Sequence, residues 1–234
     1  MHLFFVPDVQ GDICTLTAEE SHHCIKVLRL KAGDHVQITD GKGSLYKAEI
    51  ADANHRACTL RILESHTDPA QPWNLSVVIA PTKNIARIEW LVEKLTEIGI
   101  TEFIPITTHH SERKILKIDR LNKIVIEAMK QSGRNYLPKV NELCTFNEML
   151  AETKDFEGQK FVLHCIEKEK STFTQTYKRG GNALVLIGPE GDFHNNEVEL
   201  AIGHGFIPIT LGDHRLRTET AALVAACTLH AINE

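Results

Sequence analysis

Short, uninterrupted apolar runs constrain the fold of this 234-residue chain more than any other feature. They are LSVVIAP at 75–81, EFIPIT at 102–107, KFVLHCI at 160–166, ALVLIG at 183–188 and FIPITLG at 206–212. Runs of this length without polar alternation are typical of strands that are buried on both faces of a parallel sheet. The stretches between them show helical spacing, so the sequence predicts an α/β domain built on a parallel sheet.

Helices are predicted between or after these strands, and three of them have a distinct residue pattern. Two of them have an apolar stripe that stops at a glycine, Gly99 in the first case and Gly133 in the second, and glycine favours helix termination. The stripes are Ile85, Ile88, Val92 and Leu95, and then Leu116, Leu121, Ile124 and Ala128. The third helix is apolar and rich in alanine, and it is expected over residues 218–232.

The first 68 residues differ, because short β-branched segments alternate there with Gly, Asp and Asn. Such segments predict a small β-barrel-like domain. Residues 18–26 are expected to form its helix, with Thr17 as the N-cap. A polar stretch with two prolines at 68–72 is the best candidate for a linker. The predicted domains are therefore residues 1–68 and residues 73–234.

Composition is that of an ordinary globular protein, with 42% hydrophobic and 24% charged residues. The six cysteines show neither metal-ligand spacing nor a disulfide framework, which predicts reduced thiols that lie mostly in the core. The first residues, MHLFFVPD, lack the long apolar run of a signal peptide or membrane anchor. A cytoplasmic location is therefore expected.

The distribution of charge is more informative than the formal net charge of −5. Residues 82–140 carry 11 Lys and Arg against 7 Asp and Glu, whereas residues 181–234 carry 2 against 7. A basic face suits an RNA partner, whose phosphates favour clustered cations. A solvated helix surface would give the same counts, so charge alone leaves both interpretations open.

Two glycine-bearing turns follow buried strands in the acidic C-terminal part. IGPEGDF at 187–193 precedes a helix that Asn195 or Asn196 is expected to cap, and TLGDHRLRTETA at 210–221 precedes a helix with Thr218 as the predicted N-cap. Glycine and proline in such turns let the backbone approach a ligand at the carboxyl end of parallel strands. Each turn alone is equally compatible with a tight connection that binds nothing.

Common signatures of other enzyme classes are missing from the sequence. It has no G-x-G-x-x-G after a strand, no G-x-x-x-x-G-K-[ST] and no nucleophile elbow. This disfavours dinucleotide enzymes, P-loop NTPases and open-sheet methyltransferases. The 13 histidines include the pairs His22-His23 and His109-His110, but none shows ligand spacing with carboxylates or thiols. No metal is therefore expected.

A closer likeness is carried by four motifs in the α/β region. They are EKLTEIGI (93–100), EAMKQSGRNYLPKV (127–140), LIGPEGDF (186–193) and LGDHRLRTETAAL (211–223). Together they resemble the 16S ribosomal-RNA (uracil-N3)-methyltransferases of the SPOUT superfamily. HHCIKVLRLKAGD and DGKG, nearer the N-terminus, are similar to the small PUA-like RNA-binding domain of that family. The resemblance covers nearly the whole chain.

The resemblance implies a reaction and an architecture. The methyl donor would be S-adenosyl-L-methionine (AdoMet). The acceptor would be N3 of uracil 1498 in the 16S rRNA, and the substrate would be the assembled small ribosomal subunit. The C-terminal α/β domain would be tied in a deep trefoil knot, an exception to the usual unknotted topology. The chain would form a homodimer, with the cofactor pocket near the partner subunit.

The same resemblance assigns site residues by their position in the motifs. The residues expected to bind AdoMet are Leu163, His164, Gly188, Pro189, Glu190, Gly191, Leu211, Gly212, Leu216, Arg217 and Thr218. Uracil N3 must lose its proton before or during methyl transfer, which calls for a cation near the developing negative charge or a base near the proton. Arg217 is the candidate cation, and Glu219 is the candidate base.

RNA contacts are expected in both domains, with a solvated surface charge as the alternative for each residue. The candidates are Arg29, Lys31, Lys83, Arg113, Gln131, Ser132 and Arg134. Two other functions remain open. One is a SPOUT methyltransferase that acts on tRNA or on a ribose hydroxyl, and the other is a non-catalytic RNA-binding assembly factor with the same fold.

This chain departs from the family pattern at a few positions. Members of the family usually have Gly and then Phe-Ser or Phe-Thr at 192–194, where this chain has Asp-Phe-His, and Pro-Arg at 213–214, where it has Asp-His. They usually have Arg before Ser111, where His110 stands. Imidazole replaces guanidinium at two of these positions and lacks the planar fork of arginine, which puts the finer RNA contacts in doubt.

Overall fold

The computed structural model describes residues 2–166 and 169–234, and the chain divides into two compact units. The first unit comprises the residues up to Ala70 together with Ile126–Leu137, and the second comprises Gln71–Val125 and Pro138–Glu234. The boundary after Ala70 falls within the predicted linker. The return of Ile126–Leu137 to the first unit has no counterpart in the sequence-based division.

The first unit is built on one five-stranded sheet. Its strands are β1 (Leu3–Phe5), β2 (Ile13–Thr15), β3 (His35–Thr39), β4 (Ser44–Asp52) and β5 (Thr59–Thr67). They lie in the order β1-β3-β4-β5-β2, with β1 parallel to β3 and the other pairs antiparallel. The sequence did not predict β2, because three residues are too few to show alternation.

The predicted helix of the first unit is present. Helix α1 (Ala18–His22) begins after Thr17, whose Oγ1 accepts the backbone N–H of Glu20 at 3.2 Å. A π-helical turn, His23–Val27, continues it. The expected N-cap and the expected span are therefore confirmed, with a change of helix type inside the span.

The prediction that cysteines lie mostly in the core holds for only half of them. Cys14, Cys24 and Cys58 are buried in the first unit, Cys144 is partly exposed, and Cys165 and Cys227 are exposed. Burial, reinforced by the neighbouring Cys58 thiol, raises the pKa of Cys14 to about 11 and that of Cys24 to about 12. Burial also raises the pKa of Cys58.

These thiols should therefore resist modification in the folded protein, since the thiolate is the reactive form. Near pH 8, close to the ordinary thiol pKa of about 8.5, we expect an alkylating reagent to modify Cys165 and Cys227 but not Cys14, Cys24 or Cys58. Peptide mass spectrometry with and without urea would identify the labelled sites. Labelling of the three buried thiols as fast as Cys165 would contradict the burial described above.

The second unit contains a wholly parallel sheet. Its strands are β6 (Leu75–Ile79), β7 (Glu102–Thr107), β8 (Lys139–Val140), β9 (Cys144–Thr145), β10 (Gln159–Leu163), β11 (Ala183–Ile187) and β12 (Phe206–Ile209). They lie in the order β12-β10-β11-β6-β7-β8, and β9 pairs with the end of β7. Every pair is parallel, as the apolar runs predict.

Six helices accompany this sheet in the described part of the chain. They are α2 (Ile85–Ile98), α3 (Ile118–Ser132), α4 (Phe146–Glu152), α5 (Phe173–Thr176), α6 (Asn195–Gly203) and α7 (Thr218–Asn233), and α3 contributes residues to both units. Helix α2 ends at Gly99 with φ 101°, as predicted. None of the described helices combines the length and apolarity that a bilayer crossing requires.

Helix α3 differs from its prediction in register. It begins at Ile118, so Leu116 precedes it, and Ile124 is partly exposed. The buried side chains are Ile118, Leu121, Val125, Ala128 and Met129. The buried residues recur at spacings of three and four and so lie on one face of the helix, whereas Ile124 lies off that face.

The predicted caps of the last two helices are wrong by one or two residues. The N-cap of α6 is His194, whose Nδ1 accepts the N–H of Asn196 at 3.3 Å. Histidine is not among the favoured caps, so sequence preference pointed to the asparagines instead. The N-cap of α7 is Arg217, without a side-chain cap bond, and Thr218 is already helical and buried.

Helices cover both faces of the parallel sheet. Val78, Val162 and Leu184 pack in one buried cluster with residues of α4 and α6. Helix α7 contacts β6, β11 and α2. None of the residues described in α7 belongs to that cluster. Since side chains alternate between the faces of a strand, α7 packs on the other face of the sheet, with α2 against it. The carboxyl edge of the sheet is left to the loops.

Candidate active site

Three adjacent strands end together at one edge of the sheet. Leu163 at the end of β10 is in register with Ile187 of β11 on one side and with Ile209 of β12 on the other. The chain crosses over β10 when it passes from β11 to β12. Crevices outside the carboxyl ends of strands, where the direction of strand order changes, are where open α/β sheets bind ligands.

A cavity of about 640 Å³ lies at this edge, within the range of roughly 300–1,000 Å³ typical of small-molecule sites. All residues predicted to bind AdoMet line it except Gly191. The further lining residues are Cys165, Lys170, Ile187, Asp192, Ile209, Thr210, Asp213, His214, Arg215 and Ala221. The structure thus brings together residues that lie far apart in the sequence.

The loop after β11 is shaped by close packing. A Cβ on Gly188 would lie 3.0 Å from the ring of Phe193, which is itself buried. The N–H of Asp192 bonds to the carbonyl of Pro189 at 2.9 Å, and Asp192 has φ 64°. Its Oδ2 accepts the N–H of Cys165 at 2.8 Å, which ties this loop to the end of β10.

The loop after β12 closes the other side of the cavity. Gly212 has φ 120°, a conformation that residues with a side chain rarely adopt, and Thr210 Oγ1 bonds to its backbone. Arg215 donates from its guanidinium to the carbonyl of Glu190 at 3.0 Å. This bond joins the two glycine-bearing loops across the cavity.

The charges that face the cavity are mixed. Glu190, Asp192 and Asp213 supply carboxylates, and Lys170, Arg215 and Arg217 supply cations. The side chain of Arg217 is exposed and forms no hydrogen bond or ion pair with residues 2–166 or 169–234. It lies at the N-terminus of the 16-residue helix α7, where the helix dipole already favours negative charge.

Glu219 is not brought into the cavity. Its side chain is 8% exposed, and its Oε1 lies 3.5 Å from Nε of Arg87 on α2. Its other carboxylate oxygen is buried without a hydrogen bond partner in the described residues. The ion pair connects the first turn of α7 to α2, so the position of Glu219 suits the packing of α7 better than proton transfer.

Two of the candidate RNA-binding residues are engaged by the protein itself. Arg113 donates from Nε to the carbonyl of Thr82 at 3.0 Å and from Nη2 to the carbonyl of Lys83. Lys83 Nζ lies 2.8 Å from Glu112, and this hydrogen bond raises the pKa of Lys83. The side chains of Arg113 and Lys83 therefore stabilise the local loops.

The other RNA-binding candidates lie in the first unit. They are Arg29, Lys31, Gln131, Ser132 and Arg134, and all but Arg134 are exposed. Arg29 has φ 59°, and Ser132 Oγ donates to the carbonyl of Ala128 at 2.7 Å. In the same unit, burial lowers the pKa of Lys130, but its bonds to Glu20 and Glu127 outweigh this and raise it overall.

Sequence reasoning did not select several cavity residues. Asp192 and Arg215 each bond one loop to another, but no local pattern marks such a long-range role. The one signal in the sequence that could have indicated Asp192 is its place after Gly191 in a turn. Aspartate is among the few residues with a side chain that adopt the left-handed backbone conformation found there. Among the described residues, no group of three or more His, Cys, Asp or Glu side chains is arranged so that it could hold a metal ion.

A known protein family matches most of this chain. Residues 69–230 match the family described as an RNA methyltransferase domain. The chain belongs to this family. Residues 16–63 match a second description, the PUA domain of RNA methyltransferases. The expected fold class, a PUA-like N-terminal domain followed by a parallel α/β methyltransferase domain, is thereby confirmed.

Individual members of the RNA methyltransferase family are similar over nearly all of this chain. A probable rRNA-methyltransferase from Porphyromonas gingivalis is 38% identical, with a TM-score of 0.91 over 100% of this chain and 98% of that one. Ribosomal RNA small subunit methyltransferase E from Synechocystis sp. is 33% identical over 94% of this chain and 73% of that protein.

A third relative has been solved with a ligand. The ribosomal RNA small subunit methyltransferase E from Neisseria gonorrhoeae, bound to S-adenosyl methionine, is 27% identical, with a TM-score of 0.87. The similarity covers 99% of this chain and 98% of that one. The RNA methyltransferase fold thus extends through both units and includes the strands that form the cavity.

Proposed function

We propose that this RNA methyltransferase uses AdoMet to methylate N3 of one uridine, uridine 1498, in the 16S rRNA of the small ribosomal subunit. The observation that carries the proposal is the cavity at the ends of β10, β11 and β12, where the predicted cofactor residues meet. Relatives named for small-subunit rRNA support the class of substrate.

The cavity suits AdoMet in shape and chemistry. Leu163, Ile187 and Leu211 offer apolar surface to a purine ring, while Glu190 and Asp213 offer carboxylates to the cationic amino and sulfonium groups. AdoMet bound to the relative from Neisseria gonorrhoeae supports this cofactor. When bound, AdoMet supplies an electrophilic methyl group on a positively charged sulfur.

The contribution of this chain is positioning and charge stabilisation. The two loops that Arg215 joins would hold AdoMet and the uridine, and such positioning supplies much of the rate of a group transfer. As uracil N3 releases its proton to solvent water, negative charge spreads to the flanking carbonyl oxygens. The guanidinium of Arg217 donates to one of these oxygens and stabilises that charge.

Other parts of the proposal concern architecture and partners. The loops at 188–194 and 210–217 belong to a trefoil knot, and the chain acts as a cytoplasmic homodimer on the assembled 30S subunit. Residues 1–68 bind RNA and residues 73–234 carry the catalytic site. Arg29, Lys31 and the candidates in Ile126–Leu137 contact RNA, while Glu219 anchors α7 through Arg87.

Mass spectrometry of rRNA tests the proposed function. Small-subunit RNA from cells that lack the protein should miss one N3-methyluridine, at position 1498, and expression of the wild-type chain should restore it. A missing methyl on tRNA or on a ribose hydroxyl would indicate a different SPOUT substrate. Unchanged RNA together with no calorimetric binding of AdoMet would indicate a non-catalytic assembly factor.

A further inference from the structure

Three histidine rings meet beside the cavity. His109 and His110 follow β7, and His194 caps α6, so residues distant in the sequence are brought together. The ring centroids lie 4.9 Å apart for His109 and His110 and 5.1 Å apart for His109 and His194, both in edge-to-face geometry. All three side chains are exposed, so the cluster is not part of a hydrophobic core.

His109 and His194 form one wall of a second groove, with a volume of about 510 Å³. Its other lining residues are Thr107, Thr108, Thr145, Phe146, Asn147, Asn196, Glu197 and Leu200. The groove thus offers aromatic faces, two amide side chains and hydroxyl groups. Among residues 2–166 and 169–234, no lysine or arginine lines it.

The charges around the groove disfavour a phosphate. Glu197 accepts the backbone N–H of His109 at 2.8 Å with one carboxylate oxygen and that of His194 at 2.9 Å with the other. Glu148 accepts the N–H of Thr145 at 2.7 Å, and this bond lowers the pKa of Glu148 and keeps it ionised. The protein's own carboxylates therefore occupy both helix N-termini, and they would repel an anion but not a neutral base.

The groove is connected to the cavity by a single loop. His110 Nδ1 lies 3.0 Å from the carbonyl oxygen of Asp192, and Asp192 lines the cavity. His194, two residues further along the chain, lines the groove. A chain spans at most about 3.6 Å per residue, so the two sites lie within the reach of neighbouring nucleotides.

We propose that this groove binds an unpaired RNA base next to the base that is methylated. The inference rests on the proposed function and extends it to a second base. The base stacks on the ring of His109 and meets the ring of His194 at an angle, since the two rings are inclined by 60°, and its edges bond to the amides of Asn147 and Asn196. Stacking on aromatic side chains, histidine included, is how proteins hold bases splayed out of RNA loops.

Substitutions that remove the imidazole rings test the proposed stacking surface. With small subunits from cells that lack the enzyme, His109→Ala and His194→Ser should each raise KM for the subunit about tenfold, in line with the cost of losing a base-stacking side chain. Serine keeps the α6 cap. AdoMet affinity and kcat at saturating subunit should not change, since neither ring lines the cavity.

Two further variants distinguish a base from a phosphate. His109→Phe retains an aromatic face and should keep the wild-type KM, whereas a phosphate contact would be lost in His109→Phe and strengthened in His109→Arg. The matched control is His204→Ala, which removes an exposed histidine at the other end of α6. An unchanged KM in His109→Ala, or the pattern expected for a phosphate, would overturn the inference.

Photo-crosslinking gives an independent readout. With p-benzoylphenylalanine in place of His109, the crosslink should map to a nucleotide adjacent to the methylated uridine, and the same group in place of His204 should give no crosslink there. A crosslink only to distant nucleotides would refute the assignment. Failure of the proposed function appears separately, because the wild-type chain would then transfer no methyl group to small subunits.

Discussion

Replacing Arg217 with alanine is expected to lower kcat for methyl transfer by about 100-fold, the usual cost of removing one donor from a preorganised charge-stabilising site. The guanidinium faces the cavity and forms no bond with the described parts of the protein, residues 2–166 and 169–234, so its loss does not break the fold. Single-turnover kinetics at saturating AdoMet would measure the rate, so that a change in AdoMet affinity does not contribute to the loss.

The matched control for Arg217 is Arg215→Ala in the same loop. It changes the net charge equally, but the guanidinium of Arg215 is already bonded to the carbonyl of Glu190. Its loss should weaken AdoMet binding, and at saturating AdoMet the single-turnover rate should fall much less than in R217A. Arg217→Lys should recover part of the rate, since it restores the charge but not the planar fork. Equal rate losses in R217A and R215A would contradict a specific role for Arg217.

Valine in place of Gly212 is expected to weaken AdoMet binding by about 10- to 100-fold. The φ of 120° at Gly212 is accessible to glycine but strained for valine, and such strain costs of order 1–3 kcal/mol. Because Gly212 is exposed in a loop, the chain relieves this strain by moving the loop away from its cavity-lining position. Calorimetry with AdoMet would measure the loss of affinity.

Gly180→Val is the control for backbone strain as such. Gly180 has φ 80° and open space around its Cβ position, but it lies outside the cavity. The G180V and G212V variants should both unfold at lower temperature than the wild type, yet only G212V should lose AdoMet affinity. Wild-type affinity in G212V would show that this loop does not shape the cofactor site.

The strands of the sheet were predictable because their signal is local. Five consecutive buried residues in Leu75–Ile79 and again in Ala183–Ile187 leave an apolar run that needs no knowledge of the partner strand. The two glycine turns follow directly from the ends of such strands. The strand order was not predictable from these runs, because pairing depends on contacts between distant segments.

The chemistry of single side chains was less predictable, for the same reason. Glu219 stands next to cavity residues in sequence, but the helical turn points it toward Arg87 on α2. Arg113 is predicted to be an RNA-binding cation, but its guanidinium donates hydrogen bonds to two backbone carbonyls of the protein itself. His109 and His194 meet only because β7 and β11 end near each other, and no spacing between them could indicate it.

Glu197 gives the histidine groove a property that matters for the speed of recognition. Its two carboxylate oxygens hold the backbones after β7 and before α6 at the same time. The entropy of ordering these segments is therefore lost during folding and not during encounter with the RNA. RNA binding can then proceed in a single kinetic phase. The affinity is set by the dissociation rate of the RNA and not by the fraction of time that a fluctuating loop is open.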